Sequence, residues 1–165
     1  MTKEAYEQAK PQIFAITYEL NGGEYADGAG NPDEYVYDPA EPDATLKISN
    51  QPIKRGCTFK GWHDGEKNIG VQPSIYTIDR EPKALSAIWE ENIYQIHYEL
   101  DGGVMESGDN PDSYTVSGES FTLRAPVKPG YRFDGWTGSN GQQPQSAVTV
   151  VKGSRRIRRR RGRAK

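Results

Sequence analysis

A chain of 165 residues has room for one ordinary domain or two small ones and excludes a large multidomain enzyme. Only 34% of its residues are hydrophobic and the mean hydropathy is -0.86, while 18 glycines and 11 prolines favour turns and short strands over a helical bundle. The formal charge of -2 conceals two opposite parts: residues 152–165 hold nine of the 21 Lys and Arg and no acid, leaving 12 basic against 23 acidic residues, a charge of -11, in the remainder.

No apolar stretch approaches the roughly 20 residues of a membrane-spanning helix, and the opening MTKEAYEQAK has no hydrophobic run of the signal-peptide kind. An export signal, for an exported parent, is therefore expected outside this chain. The single cysteine, Cys57, excludes an internal disulfide and any multi-thiolate metal site, and fits a bacterial cytosolic protein as well as a disulfide-free surface protein.

Residues 1–12 read as a linker remnant, in which Ala5, Tyr6 and Ala9 allow a helical turn or two before Pro11. From there an internal repeat organises the chain. Ile16-Thr17-Tyr18-Glu19-Leu20-Asn21-Gly22-Gly23 returns as Ile96-His97-Tyr98-Glu99-Leu100-Asp101-Gly102-Gly103, and Asn31-Pro32-Asp33-Glu34-Tyr35 as Asn110-Pro111-Asp112-Ser113-Tyr114. Lys54-Arg55-Gly56-Cys57-Thr58-Phe59-Lys60-Gly61-Trp62 matches Lys128-Pro129-Gly130-Tyr131-Arg132-Phe133-Asp134-Gly135-Trp136. Three matches in one order predict a first repeat over 13–91, a second and incomplete one over 92–151, and an Arg-rich disordered tail over 152–165.

Each copy reads as a small β unit. Phe14, Ile16, Tyr18 and Leu20 alternate with Ala15, Thr17 and Glu19, as Tyr94, Ile96, Tyr98 and Leu100 do in copy two, which gives a first strand with one apolar face. The Asn-Gly-Gly and Asp-Gly-Gly that follow supply residues able to turn at positive φ. Second strands are predicted at Tyr35-Val36-Tyr37 and Tyr114-Thr115-Val116, short elements at 45–48 and 121–123, and a loop insertion at 39–44 in copy one. Pro52 and Pro126 interrupt any ladder. A further strand carries Cys57, Phe59 and Gly61 on one side and ends at Gly61-Trp62; its counterpart carries Tyr131, Phe133 and Gly135 and ends at Trp136. Copy one closes with Leu85, Ala87 and Trp89 on one face, and Glu90-Glu91-Asn92 is too short for a flexible linker.

The motif order, from the strand and Gly-Gly turn through Asn-Pro-Asp-x-Tyr and Gly-aromatic-x-Phe-x-Gly-Trp to Leu-x-Ala-x-Trp, resembles the Listeria-Bacteroides repeat family, to which the internalin B repeats belong. The residues that carry the resemblance are Gly22, Gly23, Gly56, Phe59, Gly61, Trp62 and Trp89 in copy one, and Gly102, Gly103, Gly130, Tyr131, Phe133, Gly135 and Trp136 in copy two. The resemblance implies a mostly β fold, α+β at most: two tandem small β-grasp-like modules with little helix, of the kind that recurs in secreted or wall-attached bacterial proteins. It implies neither catalysis nor a particular ligand. Copy two departs from the pattern at its end, because alignment puts Leu85, Ala87 and Trp89 opposite Ile157, Arg159 and Arg161. An unpaired buried guanidinium costs several kcal/mol, so the last strand of copy two is expected to be absent. The abrupt change of composition points to a shifted reading frame or a truncated gene.

Candidate sites follow from the same residues. Trp62 and Trp136 offer sugar-stacking platforms, but a module of about 75 residues needs such side chains as core anchors. Tyr18, Tyr98, Tyr35 and Tyr114 recur at alternating positions and are expected to pack, whereas Tyr25 and Tyr37 lack counterparts and are expected to be exposed. The acidic residues Asp27, Asp33, Glu34, Asp38, Glu41 and Asp43 match no calcium-loop spacing and read as a solvated loop. His63 and His97 have no second His or Cys at ligand spacing, so no metal is expected. No nucleophile with a base, no carboxylate pair in an apolar context and no phosphate loop stands out, and Cys57 takes the place of Tyr131 as a packed thiol. No catalytic residue and no cofactor is assigned.

Arg155, Arg156, Arg158, Arg159, Arg160, Arg161 and Arg163 would contact phosphate or other polyanions, but without interleaved aromatics they give charge without specificity, and nucleic acid is not the expected partner. The leading expectation is a non-catalytic, monomeric stalk or spacer of a cell-surface or secreted bacterial protein. Its partner would be a surface protein or glycan, met through loops 24–45 and 104–113. An accessory carbohydrate- or protein-binding module of a secreted enzyme is the second reading, and nonspecific polyanion binding by the tail the third.

Overall fold

The computed structural model describes residues 2–71, 74–77, 79–106, 110–139 and 141–152. The chain divides into two compact units, Met1–Glu90 and Glu91–Lys165, and is mostly β.

Unit 1 begins with α1 (Lys3–Gln8), whose first turn is capped where Ala5 N donates to Thr2 Oγ1 at 3.2 Å. Its seven strands are β1 (Gln12–Glu19), β2 (Glu34–Tyr37), β3 (Thr45–Ile48), β4 (Cys57–His63), β5 (Asn68–Gly70), β6 (Ser74–Thr77) and β7 (Lys83–Glu91). Five of them form one sheet in the order β2-β1-β7-β4-β5, while β3 and β6 make a separate antiparallel pair. The first and last strands of the unit lie side by side and parallel, with Ile16 opposite Lys83 and Tyr18 opposite Leu85. That order and the parallel central pair are consistent with a β-grasp-like sheet; α1 precedes the sheet rather than crossing it.

Alternation in β1 fixes the inward face: Ile16 is buried, Phe14 and Tyr18 are half-buried, and Ala15, Thr17 and Glu19 point outward. One core results, built from Ile16, Tyr35, Ile48, Trp62, Leu85 and Ala87, with Phe59 and Trp89 packed against it. Leu85 and Ala87, both from β7, are 2% and 3% exposed, so the central strand binds the two flanks of this core together. Full burial of a side chain the size of Leu85 contributes about 1.5–3 kcal/mol.

Unit 2 repeats the outer strand pairs of unit 1. Its strands are β8 (Tyr94–Gln95), β9 (Ser113–Tyr114), β10 (Phe121–Thr122), β11 (Trp136–Gly138), β12 (Gly141–Gln145) and β13 (Thr149–Val150). They form three separate pairs, β8-β9, β10-β13 and β11-β12. The β8-β9 ladder reproduces β1-β2, with Ile96 N donating to Asp112 O at 2.7 Å as Ile16 N does to Asp33 O at 2.7 Å. Among the described residues no strand corresponds to β7. Its described buried residues form two clusters, one of Ile96, Tyr114 and Val150 and one of Leu123, Trp136 and Val148, which share Tyr98 and Phe121 at their margins.

Several expectations are corrected here. The first strand of copy two was expected to run through Leu100 but stops at Gln95, although Ile96 stays buried and Tyr98 half-buried. Residues 131–135 are not strand, and β11 begins at Trp136, where a strand was expected to end; Tyr131 is 52% exposed. In copy one the corresponding strand continues past Trp62 to His63. Each of these segments is one whose unit 1 equivalent borders β7. Tyr25 and Tyr37, expected to be exposed, are half-buried and pack on the unit 1 core. The expected disordered tail, from Gly153 onward, lies outside the described residues.

Candidate functional site

The residues repeated between the copies build the same set of turns and clamps in each unit. After β1, Asn21 and Gly22 take φ of 51° and 80°, and Gly23 N closes the turn on Leu20 O at 2.9 Å. Asp101 and Gly102 take 49° and 81°, and Gly103 N meets Leu100 O at the same distance. A lysine fastens each turn: Lys54 Nζ donates to Asn21 O at 2.7 Å and Lys128 Nζ to Asp101 O at 2.6 Å. The chain beyond the turn is held by an isolated bridge, Glu24 to Ile53 in unit 1 and Val104 to Val127 in unit 2.

Asn-Pro-Asp is the second clamp. Asn31 Nδ2 donates to Asn50 O at 2.8 Å while Asn50 N donates to Asn31 Oδ1 at 2.9 Å. Asn110 forms the same two bonds with Arg124, at 2.9 and 2.8 Å. The next residue accepts a tyrosine hydroxyl, Tyr18 on Pro32 O at 2.8 Å and Tyr98 on Pro111 O at 2.6 Å. Burial, with the negative charge of Asp112 as a smaller cause, pushes the Tyr98 phenol up to about 12, and burial raises Tyr18 further. Asn31 Nδ2 also reaches the Tyr25 hydroxyl at 2.9 Å, and Asn110 Nδ2 lies 3.8 Å from Met105 Sδ, so Met105 is the counterpart that Tyr25 was thought to lack.

The Gly-aromatic-x-Phe-x-Gly-Trp stretch supplies the anchor. Trp62 and Trp136 are 1% and 4% exposed. Each meets the preceding phenylalanine edge to face, Phe59 at 5.3 Å and Phe133 at 5.2 Å, and each touches the strand-one tyrosine, Tyr18 at 5.2 Å and Tyr98 at 5.7 Å. Gly61 and Gly135 have φ of 124° and 141°, and a Cβ on either would run into main chain, Gly70 O at 2.7 Å or Gln145 N at 2.6 Å. Glycine is required at both places. Gly56 and Gly130 take φ of 70° and 77° at the preceding turn.

With both tryptophans inside, neither presents a face to a sugar. Trp89 is half-buried: its Nε1 donates to Leu20 O at 2.9 Å, its ring meets Phe59 at 5.4 Å, and Lys54 Nζ lies 5.8 Å from its centroid. His63 Nδ1 accepts from Gly65 N at 3.0 Å within a turn, and Cys57 is half-buried. Among the described residues no group of three His, Cys, Asp or Glu side chains is placed to hold a metal ion, and the acidic loop residues other than Asp38 are exposed. The arginines Arg155 to Arg163 lie outside the described residues. The clamping roles of Asn31, Asn110, Lys54 and Lys128 escaped the sequence reading, although all four sit inside the repeated blocks.

Comparison with known proteins agrees with this duplicated arrangement. Residues 14–77 match the Listeria-Bacteroides repeat domain and residues 97–156 the divergent InlB B-repeat domain. Two proteins of Evansella cellulosilytica are similar to the chain. One, named provisionally as a membrane protein, is 28% identical over 152 residues, 86% of this chain and 21% of the relative. Another, named provisionally as a Gly-rich membrane protein, is 28% identical over 120 residues, 71% of this chain and 13% of the relative. The chain thus spans about a fifth or less of these curated relatives. No solved structure matches it. Among the described residues no helix is long and apolar enough to cross a membrane. The repeat domains matched are non-catalytic modules typical of bacterial surface proteins. The chain is a tandem pair of Listeria-Bacteroides-type repeats, with the second copy of the divergent InlB B-repeat kind.

Proposed function

We propose that this chain is a non-catalytic spacer segment of a larger bacterial surface or secreted protein, in which each repeat serves as a small rigid block. The observation that carries this reading is the duplication of the clamps: Asn21 to Gly23, Asn31, Lys54, Gly61 and Trp62, with their counterparts, are all engaged in holding the fold. Residues repeated for a ligand would leave polar or aromatic groups directed at solvent, whereas Asn21, Asn31, Lys54 and Trp62 turn theirs onto the main chain and core of their own unit. β7 ends at Glu91 and β8 begins at Tyr94, so two residues join the repeats and limit their freedom. A role in adhesion, through loops 24–45 and 104–113, is the natural extension, because exposed loops on a rigid scaffold are where binding residues accumulate.

The spacer reading is tested by 15N relaxation on the full chain. One shared rotational correlation time for the two repeats is expected. Two independent correlation times, each that of a single small domain, would contradict it.

A further inference from the structure

Tension in a chain that runs on from either side of unit 1 enters its sheet at the start of β1 and leaves at the end of β7. These first and last strands are neighbours and parallel, with Ile16, Thr17, Tyr18 and Glu19 opposite Lys83, Ala84, Leu85 and Ser86. Opposite pulls at residues 12 and 91 therefore slide one strand along the other. Ile16 N faces β2 through its bond to Asp33 O, so by alternation the main-chain N–H and C=O of Thr17 and Glu19 face β7. The bonds of such a parallel pair run across the strands, and a sliding load falls on all of them together rather than on one after another.

Side chains extend this junction beyond the ladder. Asn21 Nδ2 donates to Ala87 O at 2.8 Å and Trp89 Nε1 to Leu20 O at 2.9 Å, while Thr17 Oγ1 donates to Lys83 O at 3.4 Å. Packing adds a second lock. Ile16, Leu85 and Ala87 are all buried, and a slip of one residue along either strand would turn that strand's buried set to the outer face. The Asn31 clamp lies off this path: its two bonds join the segment before β2 to Asn50, after β3, and belong to neither β1 nor β7.

We propose that unit 1 is a load-bearing link: tension along the parent protein is carried as shear across β1 and β7, and Asn21 and Trp89 are the side chains that set the resistance of this junction. The inference rests on the spacer reading and adds to it, since a spacer is pulled whenever both of its ends are held. Terminal strands paired antiparallel would part bond by bond under the same pull; the parallel pairing of the first strand with the last is what turns the pull into shear.

Optical tweezers on the full chain test this, with handles on cysteines introduced at exposed positions in a Cys57→Ala background. Lys10→Cys with Ile93→Cys loads β1 and β7 from opposite ends, whereas Lys10→Cys with Glu81→Cys loads them from the same end and peels them apart. The first pair is expected to unfold unit 1 at a force at least about twofold higher, because its bonds share the load. Asn21→Asp, which Asp101 shows to fit the same backbone conformation, turns a donor toward Ala87 O into an acceptor, and Trp89→Phe removes the indole N–H while keeping a ring. Each should raise the unfolding rate under shear about fivefold, whereas Asn31→Ala should change it by less than about twofold although it removes two hydrogen bonds of the same unit. Equal forces in the two geometries, shear rates unmoved by Asn21→Asp and Trp89→Phe, or an equal effect of Asn31→Ala would each overturn the proposal. Such a result would leave a shared correlation time of the two repeats intact, whereas two independent times would contradict the spacer reading and not the shear junction.

Discussion

The indole of Trp89 lies directly over Gly23, so that any Cβ at Gly23 would enter the ring, and Trp89 Nε1 donates to the carbonyl of Leu20 at 2.9 Å. The Gly-Gly turn and the last strand of the first repeat are therefore mutually dependent, although 66 residues separate them. The backbone neighbours of Gly103 match those of Gly23, with Leu100 O and Leu20 O both at 3.1 Å from the added Cβ. Gly23→Ala should therefore destabilise unit 1 by about 1–3 kcal/mol through overpacking, and Gly103→Ala should affect unit 2 less. In a Trp89→Ala background the difference should vanish, which a double-mutant cycle followed by urea unfolding with resolved amide signals would read directly.

Leu85 is the apolar centre of β7 and lies opposite Tyr18 in the parallel ladder. Leu85→Ala should cost unit 1 about 2–5 kcal/mol, the range for a large-to-small change in a packed core. Unit 2, which contains no equivalent side chain among its described residues, should melt unchanged. Differential loss of amide signals during a thermal ramp is the measurement.

The two asparagine clamps predict a symmetric result. Asn31→Ala and Asn110→Ala each remove a pair of side-chain to main-chain hydrogen bonds, to Asn50 and to Arg124. Each should cost its own unit about 1 kcal/mol, since these bonds lie at the surface and water replaces them in part. Denaturant midpoints of the two variants, read unit by unit, should fall by similar amounts.

The tyrosines set an alkaline limit. Burial first, and Asp112 second, hold the Tyr98 phenol at about 12, while an unfolded chain releases that proton near 10. The folded state therefore keeps the proton longer, and the stability this contributes is complete below about pH 10 and is lost as pH rises through about 12. Tyr18 shifts in the same direction, from burial first and then the neighbouring Tyr25 and Asp33. Unfolding midpoints should decline across that window, and Tyr98→Phe should flatten the decline in unit 2, with tyrosinate absorbance reporting the ionisation.

Much of this architecture was legible because the chain writes it twice. The alternation of Phe14, Ile16 and Tyr18 against Ala15, Thr17 and Glu19 placed β1 and its inward face, and 45–48 marked β3 to the residue. The strands β5, β6, β12 and β13 gave no comparable signal: Asn68-Ile69-Gly70 and Gly141 to Gln145 are too short or too polar for a period-two pattern, and they form as partners of β4 and β11. That the Ile96 and Tyr131 segments are not regular strand was not readable from their own residues, whose patterns are intact. The expected absence of a last strand in copy two, read from Arg159 and Arg161, falls on residues outside the described ones. At the clamps, Asn31 and Lys54 were visible as repeated letters, yet their partners are main-chain carbonyls, which sequence does not mark.

Amide hydrogen exchange on the full chain tests the central claim, that the two repeats are held by the same clamps, most directly, since it compares equivalent positions in both. The account predicts matched protection of Ile16 and Ile96 by their bonds to Asp33 and Asp112, and of Gly23 and Gly103 by their bonds to Leu20 and Leu100. Rapid exchange of one member of either pair beside strong protection of the other would contradict the account.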